Sequence, residues 1–238
     1  MSAPKRFFVE SISEEVLLTG EEFNHAKNVL RLSEGDEITL LDGGGLEYPA
    51  IIARVEKNAV RVRVIGKRVS DKEPKKEIYL LVGALKGDKT ELVVQKAVEL
   101  GVRKIGVFHS RYCAAYMNEN KLERLNKVAR EAAKQCLRAS APSVVYFDTA
   151  EEAFASAKDC ESKLFACEFL EKSETGIPAN ADSYALVVGS EGGFTEEEFQ
   201  AAKTSGFAGV SLGRRILRAE TAAIAFTSVV AYLAGELQ

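Results

Sequence analysis

Two glycine-bearing loops carry the residues best suited to chemistry. Gly189-Ser190-Glu191-Gly192-Gly193 follows the apolar run Tyr184–Val188. Glycines so dense let a backbone approach a ligand or another loop closely; the plainer reading is a tight strand-to-helix turn. Leu212-Gly213-Arg214-Arg215-Ile216-Leu217-Arg218-Ala219-Glu220-Thr221-Ala222 follows a second strand-like run. Its Arg218 and Glu220, which could equally be a structural ion pair, precede a helix rich in Ala222, Ala223, Ala225, Thr227, Ser228 and Ala231. Small side chains of that kind admit another backbone or helix at close range. Glycine loops at successive strand ends of an α/β sheet are where ligands usually sit.

Other motifs miss in informative ways. Gly83-Ala84-Leu85-Lys86-Gly87-Asp88-Lys89-Thr90 has one residue too few between its glycines for a phosphate loop, and Asp88 puts a carboxylate where phosphate would lie. Val188-Gly189-Ser190-Glu191-Gly192 lacks the first glycine of a nucleophile elbow, and no histidine follows His109 to serve a serine hydrolase. No G-x-G-x-x-G follows the first strand. His25 and His109 are the only histidines, and Cys113, Cys136, Cys160 and Cys167 form no C-x-x-C pair. Neither a metal cluster nor a redox motif is expected, and the thiols should be reduced.

The elements that must position these loops change rhythm along the chain. Through about residue 70 the signals are mostly β: Arg6–Val9, Val16–Leu18, Asp36–Leu41, Tyr48–Val55 and Ala59–Val69, with one helix over Glu21–Arg31. Asp42-Gly43-Gly44-Gly45 is a hairpin connection. Val60, Val62 and Val64 alternate with Arg61 and Arg63, giving one buried and one cationic face. Several short strands with one helix predict a small barrel. Ser70–Lys76 is the expected linker, dividing domains at 1–70 and 75–238. Beyond it, strands at Ile78–Leu85, Lys104–His109, Val144–Phe147, Lys163–Cys167, Tyr184–Val188 and Gly209–Leu212 alternate with helices near 89–100, 120–138, 149–158, 195–204 and 219–235. Runs such as Tyr79-Leu80-Leu81-Val82 suit strands covered on both faces of a parallel sheet. Thr195 and Glu198 form a capping box.

A composition of 46% hydrophobic and 28% charged residues is that of an ordinary globular protein. No apolar run reaches membrane-spanning length, and the start lacks a secretory apolar segment, so the cytoplasm is the expected location. The net charge of −3 hides an asymmetry. Residues 54–76 and 103–138 each hold nine basic against three acidic groups, whereas 148–198 hold three against thirteen. That pattern could present a positive side to a polyanion. On a helical wheel Lys127, Arg130, Lys134 and Arg138 share one face, opposite Leu122, Leu125, Val128, Ala132 and Cys136. This predicts an exposed basic stripe behind a buried apolar one.

The two glycine loops resemble the G-P-E-G-G and L-G-x-R-I-L-R-x-E-T-A loops of the RsmE family of 16S ribosomal RNA (uracil-N3) methyltransferases, in the SPOUT superfamily. The resemblance extends to Lys86-Gly87-Asp88-Lys89, Gln95-Lys96-Ala97-Val98-Glu99-Leu100-Gly101, Gln135-Cys136-x-Arg138 and His25-x-x-x-Val29-Leu30-Arg31. Ser190 departs from the usual Pro, Lys134 from a common Glu and Leu137 from a common Gly. The resemblance implies an α/β protein: an N-terminal PUA-like barrel for RNA, then a C-terminal SPOUT domain threaded into a deep trefoil knot. It further implies S-adenosylmethionine bound without metal, a homodimer packed through the helix after Ala222, and 16S ribosomal RNA of the small subunit as partner.

On this resemblance, the expected cofactor loops are Cys167-Glu168, Gly189, Ser190, Glu191, Gly192 and Gly193, and Leu212, Gly213, Ile216, Leu217, Arg218, Thr221 and Ala222. The expected RNA contacts are His25, Arg31, Arg61, Arg63, Lys86, Arg130, Lys134 and Arg138. Uracil N3 lies on the Watson–Crick edge, so the uridine must be unpaired or flipped. Arg218, fixed in charge, suits stabilisation of the uracil anion, while Glu191 and Glu220 remain alternative bases or anchors. Ribose 2′-O-methylation, as in the TrmH-like branch, and a noncatalytic RNA-binding assembly factor are the rival readings.

Overall fold

Period-two patterning builds the first part of the chain. The computed structural model describes residues 5–167, 170 and 172–237. Strands β1 (Arg6–Phe8), β2 (Glu15–Leu18), β3 (Glu37–Leu41), β4 (Leu46–Val55), β5 (Val60–Val64) and β6 (Arg68–Val69) form one sheet in the order β1-β3-β4-β5-β2, with β6 also paired to β4. All pairs are antiparallel except β1 with β3. On β5, Val60 and Val62 are buried while Arg63 is exposed, as alternation requires. These join Phe7, Val16, Leu18, Ile38, Leu40 and Ile52 in one apolar core.

The helix expected at Glu21–Arg31 is only half α-helical. Helix α1 covers Gly20–Asn24, and His25–Val29 continues as a π turn, with Leu30 N–H donating to His25 O. The stretch Ser70–Lys76 is tied down rather than loose. Ser70 is buried against Glu47, and Glu73 accepts hydrogen bonds from the backbone N–H groups of Ala139 and Ser140.

In the second part, six parallel strands alternate with helices. Strands β7 (Glu77–Gly83), β8 (Lys104–Phe108), β9 (Val144–Phe147), β10 (Ser162–Ala166), β11 (Ser183–Val188) and β12 (Ala208–Val210) lie in the order β12-β10-β11-β7-β8-β9. Every residue of β7 after Glu77 is buried, as a strand covered on both faces must be. Helices α2 (Lys89–Glu99) and α6 (Ala219–Leu233) pack together, and α6 lies on β7 and β11. Tyr79 and Leu81, which share a face of β7, join the cluster containing Phe154 of α4 (Ala150–Ser156) and Ala202 of α5 (Glu196–Thr204). The capping box of α5 forms as its sequence requires.

Helix α3 (Glu119–Gln135) belongs to the second unit up to Ala129. The chain divides into a unit of Met1–Glu73 with Arg130–Ala141, and a unit of Pro74–Ala129 with Pro142–Gln238. Among the described residues no helix is long and apolar enough to cross a membrane.

The expected basic stripe of α3 is corrected by this packing. Lys127 and Arg130 are exposed, but Lys134 and Arg138 are buried. Lys134 Nζ donates to Glu22 Oε1 at 2.7 Å and to Glu131 Oε1 at 3.0 Å. Arg138 lies beyond the end of α3, with Nη2 3.3 Å from Glu73 Oε2. A helical wheel presumes that the polar face meets water; here that face meets carboxylates of its own unit.

Candidate functional site

Neighbouring strands β7 and β11 send their chains in opposite directions across the sheet, since β8 and β9 lie on one side and β10 and β12 on the other. Such a switch leaves a crevice at the carboxyl ends of the strands. A cavity of 420 Å³ lies there, within the roughly 300–1,000 Å³ usual for ligand sites. Its walls are Ala166 at the end of β10 with Cys167 beyond it, Val188 at the end of β11 with Gly189, Ser190, Glu191 and Gly193 beyond it, residues 212–219 after β12, and Lys89 and Ala222 at the starts of α2 and α6.

Close packing of backbones shapes this wall. A Cβ on Gly83 would stand 2.5 Å from the backbone nitrogen of Ser190, so the first glycine loop can pass over the end of β7 only because position 83 has no side chain. The loop turns tightly, with Gly193 N–H donating to Ser190 O at 3.0 Å. Ser190, standing where the resembling loops carry proline, places its hydroxyl 3.0 Å from that of Ser110, and both side chains are buried. A hydrogen bond replaces ring rigidity in holding the loop.

One lysine organises the charges. Lys89 Nζ lies 3.4 Å from Glu191 Oε1 and 3.5 Å from Glu220 Oε2. Glu191 also accepts the backbone N–H of Lys86 at 3.0 Å. Burial pushes the Glu191 carboxyl up, but the Lys86 N–H, its own N–H and the Lys89 ammonium outweigh this and hold it below its ordinary value. Glu220 Oε2 is buried, makes no hydrogen bond among the described residues and lies 3.5 Å from Lys89 Nζ. Arg218 sits at the N-cap of α6 with extended backbone (φ −66°, ψ 150°). Its guanidinium, like those of Arg214 and Arg215, is exposed without a hydrogen-bond or ion-pair partner among the described residues.

The fold thus gathers Cys167, Gly189, Ser190, Glu191, Gly193, Leu212, Gly213, Ile216, Leu217, Arg218 and Ala222 around one cavity. Gly192 instead backs onto Tyr112, Thr221 is exposed outside the wall, and Glu220 lies behind Lys89. Glu168 falls outside the described residues. Sequence reasoning missed Lys89, Arg214, Arg215 and Gly83. Lys89 stood in a quoted motif, but its carboxylate partners are 102 and 131 residues away along the chain. Among the expected RNA contacts, Arg31, Arg63, Lys86 and Arg130 are exposed. Arg61 is engaged by Glu15 and Glu56, and the half-buried His25 ring lies 5.6 Å from Phe7. Among the described residues no group of three His, Cys, Asp or Glu could hold a metal ion.

Residues 71–231 match the family described as RNA methyltransferase domain, and residues 18–65 match the RNA methyltransferase PUA domain. The ribosomal RNA small subunit methyltransferase E of Mesomycoplasma hyopneumoniae is 33% identical, over 92% of this chain and 95% of that protein. The protein of the same name from Bacillus subtilis is 30% identical, over 96% of each. The structure of ribosomal RNA small subunit methyltransferase E from Neisseria gonorrhoeae bound to S-adenosyl methionine superposes with a TM-score of 0.88 at 30% identity, covering 97% of this chain and 98% of that one. A protein of Legionella pneumophila solved with bound SAM gives 0.89 at 30% identity, covering 96% and 97%. The architecture is an α/β fold preceded by a PUA domain. With most of its length matched by the methyltransferase domain and nearly all of it by such relatives, the chain belongs to the RsmE family of ribosomal RNA small subunit methyltransferases.

Proposed function

We propose that this protein transfers a methyl group from S-adenosylmethionine to N3 of a uridine in 16S ribosomal RNA of the small subunit. The observation that carries the reading is an Arg218 without a partner among the described residues, on the wall of a glycine-lined cavity at the sheet's switch point. The cavity fits the cofactor. Ala166, Val188, Leu212, Leu217 and Ala222 offer apolar surface for an adenosine, and the backbones after β11 and β12 offer amide and carbonyl groups for its polar edges. When bound, S-adenosylmethionine supplies an electrophilic methyl group.

The chain's own groups do the rest. The N3 proton is lost to solvent water, the negative charge this leaves is shared by the flanking uracil oxygens, and the Arg218 guanidinium donates to that developing charge. Among the described residues the guanidinium has no partner, which leaves its donors available for this work. Glu191, held below its ordinary value, is a weak base and serves as an anchor for the loop. Glu220 braces Lys89 from behind and does not reach the cavity wall. Holding both reactants in line supplies much of the acceleration.

The protein works in the cytoplasm as a homodimer, packed through the exposed apolar side chains Val229 and Tyr232 of α6. Its cofactor loops belong to a deep trefoil knot, and the exposed cations Arg31, Arg63 and Arg130 contact RNA backbone. Labelled S-adenosylmethionine and unmodified small subunits test the activity. N3-methyluridine in digested RNA is the expected product; a 2′-O-methyl nucleoside, or no transfer, overturns it.

A further inference from the structure

The loop after β8 is fixed more firmly than the core requires, yet its large side chains face solvent. Ser110 Oγ pairs with Ser190 Oγ, Arg111 N–H donates to Glu198 Oε1 at 2.8 Å, and Cys113 N–H donates to Ser110 O at 2.9 Å. The Cys113 thiol donates to Ala84 O at 3.1 Å. Further along, Lys121 Nζ donates to Tyr116 O at 2.6 Å and stands 6.0 Å from the centre of the Tyr116 ring. On this pinned backbone Tyr112 is 58% exposed and Tyr116 is 73% exposed, with Arg111 and His109 exposed beside them. Rings so exposed add little to the core, and a mobile loop would not need three ties to other elements.

The loop also adjoins the cavity wall. A Cβ on Gly192 would collide with Tyr112, so the glycine turn after β11 rests directly on this residue. Ser110 and Ser190 link the same two loops from within.

Resting on the RNA methyltransferase reading above, we propose that Tyr112 and Tyr116 are a preorganised stacking platform for unpaired nucleotides flanking the target uridine. An unstacked base regains face-to-face contact on an aromatic ring, and cations beside the ring meet the adjoining phosphates. Arg111 and Lys121 supply those cations. The occupant is RNA rather than a second copy of the chain, because the rings are interleaved with basic groups and Tyr112 supports the glycine turn that forms part of the cofactor cavity.

Equilibrium binding of unmodified small ribosomal subunits tests the platform. Tyr112→Leu and Tyr116→Leu should each weaken binding about 10-fold, the loss expected for one stacked base, while S-adenosylmethionine affinity stays at the wild-type level. Tyr112→Trp and Tyr116→Phe should restore binding, since stacking needs the ring and not the hydroxyl. Arg111→Gln should flatten the salt dependence of binding, and the leucine variants should leave its slope unchanged. Unchanged binding in both leucine variants, or a leucine variant that turns monomeric in sedimentation, overturns the proposal. Methyl transfer by the wild type to the same subunits reports separately on the activity itself.

Discussion

Arg218 and Lys89 are two cations on one cavity wall with opposite surroundings. The Arg218 guanidinium has no protein partner among the described residues, so its donors are free for substrate. Arg218→Lys keeps the charge but loses the planar donor fork. Single-turnover methylation should fall on the order of 10²-fold, with cofactor affinity less affected if loop backbone supplies most of the proposed cofactor contacts. Lys89, by contrast, is committed to two carboxylates. Replacing it with Met removes one of the groups that hold the Glu191 carboxyl below its ordinary value of 4.5. Glu191 then protonates at higher pH, so the acid limb of cofactor binding should move upward. Affinity near neutral pH should drop roughly 10-fold as Glu191 and Glu220 lose the cation between them. Lys89→Arg should return both toward wild type; titrating cofactor across pH with the three proteins checks this.

At the scale of elements, the end of α3 shows a conformational cost that a single substitution can relieve. Arg138 N–H donates to Ala133 O at 2.9 Å and Leu137 N–H to Lys134 O at 3.4 Å, the crossed pair of a Schellman motif. Such a motif places its C′ residue in the left-handed region, and Leu137 has φ of 67°. Leucine is strained there, whereas glycine is not. Because Leu137 is 41% exposed, little packing is lost by removing its side chain. Leu137→Gly should therefore raise unfolding stability by about 1 kcal/mol in urea titration. Buried Lys134 and Arg138 just around this turn explain why the region reads as a basic surface in one dimension and is an internal ion-pair network in three.

At the scale of the whole molecule, the proposed partners make two surfaces testable. Neutralising Arg63 and Arg130, both exposed, should weaken subunit binding and lower its salt slope by roughly 1.5, two phosphate contacts' worth. Cofactor titration should be unchanged by the same pair. On α6, Val229 is 44% and Tyr232 57% exposed, an apolar display that a second copy would cover. Ala225→Arg introduces a charge into the small-residue helix. Sedimentation should show monomer, with activity lost in parallel; a fully active monomer would exclude a shared site.

Local chemistry wrote much of this structure into the sequence. Apolar runs such as Tyr79–Val82, the Val60–Val64 alternation and the Thr195–Glu198 capping box depend on neighbours within a few residues, so the parallel sheet, the β-rich first unit and the start of α5 were legible. The glycine spacing of the two loops likewise marked the cavity wall, since a backbone that must approach closely needs glycine wherever it folds. Tertiary structure decided what depends on distant partners. Lys89 meets Glu191 and Glu220 only when the sheet sets β7 beside β11 and the starts of α2 and α6 come together. Gly83 matters because the Ser190 backbone crosses it, and Lys134 is internal because Glu22 faces it. Periodicity reports whether a side chain points in or out of its own element, but the identity of what it meets is set by the packing of elements far apart in the chain.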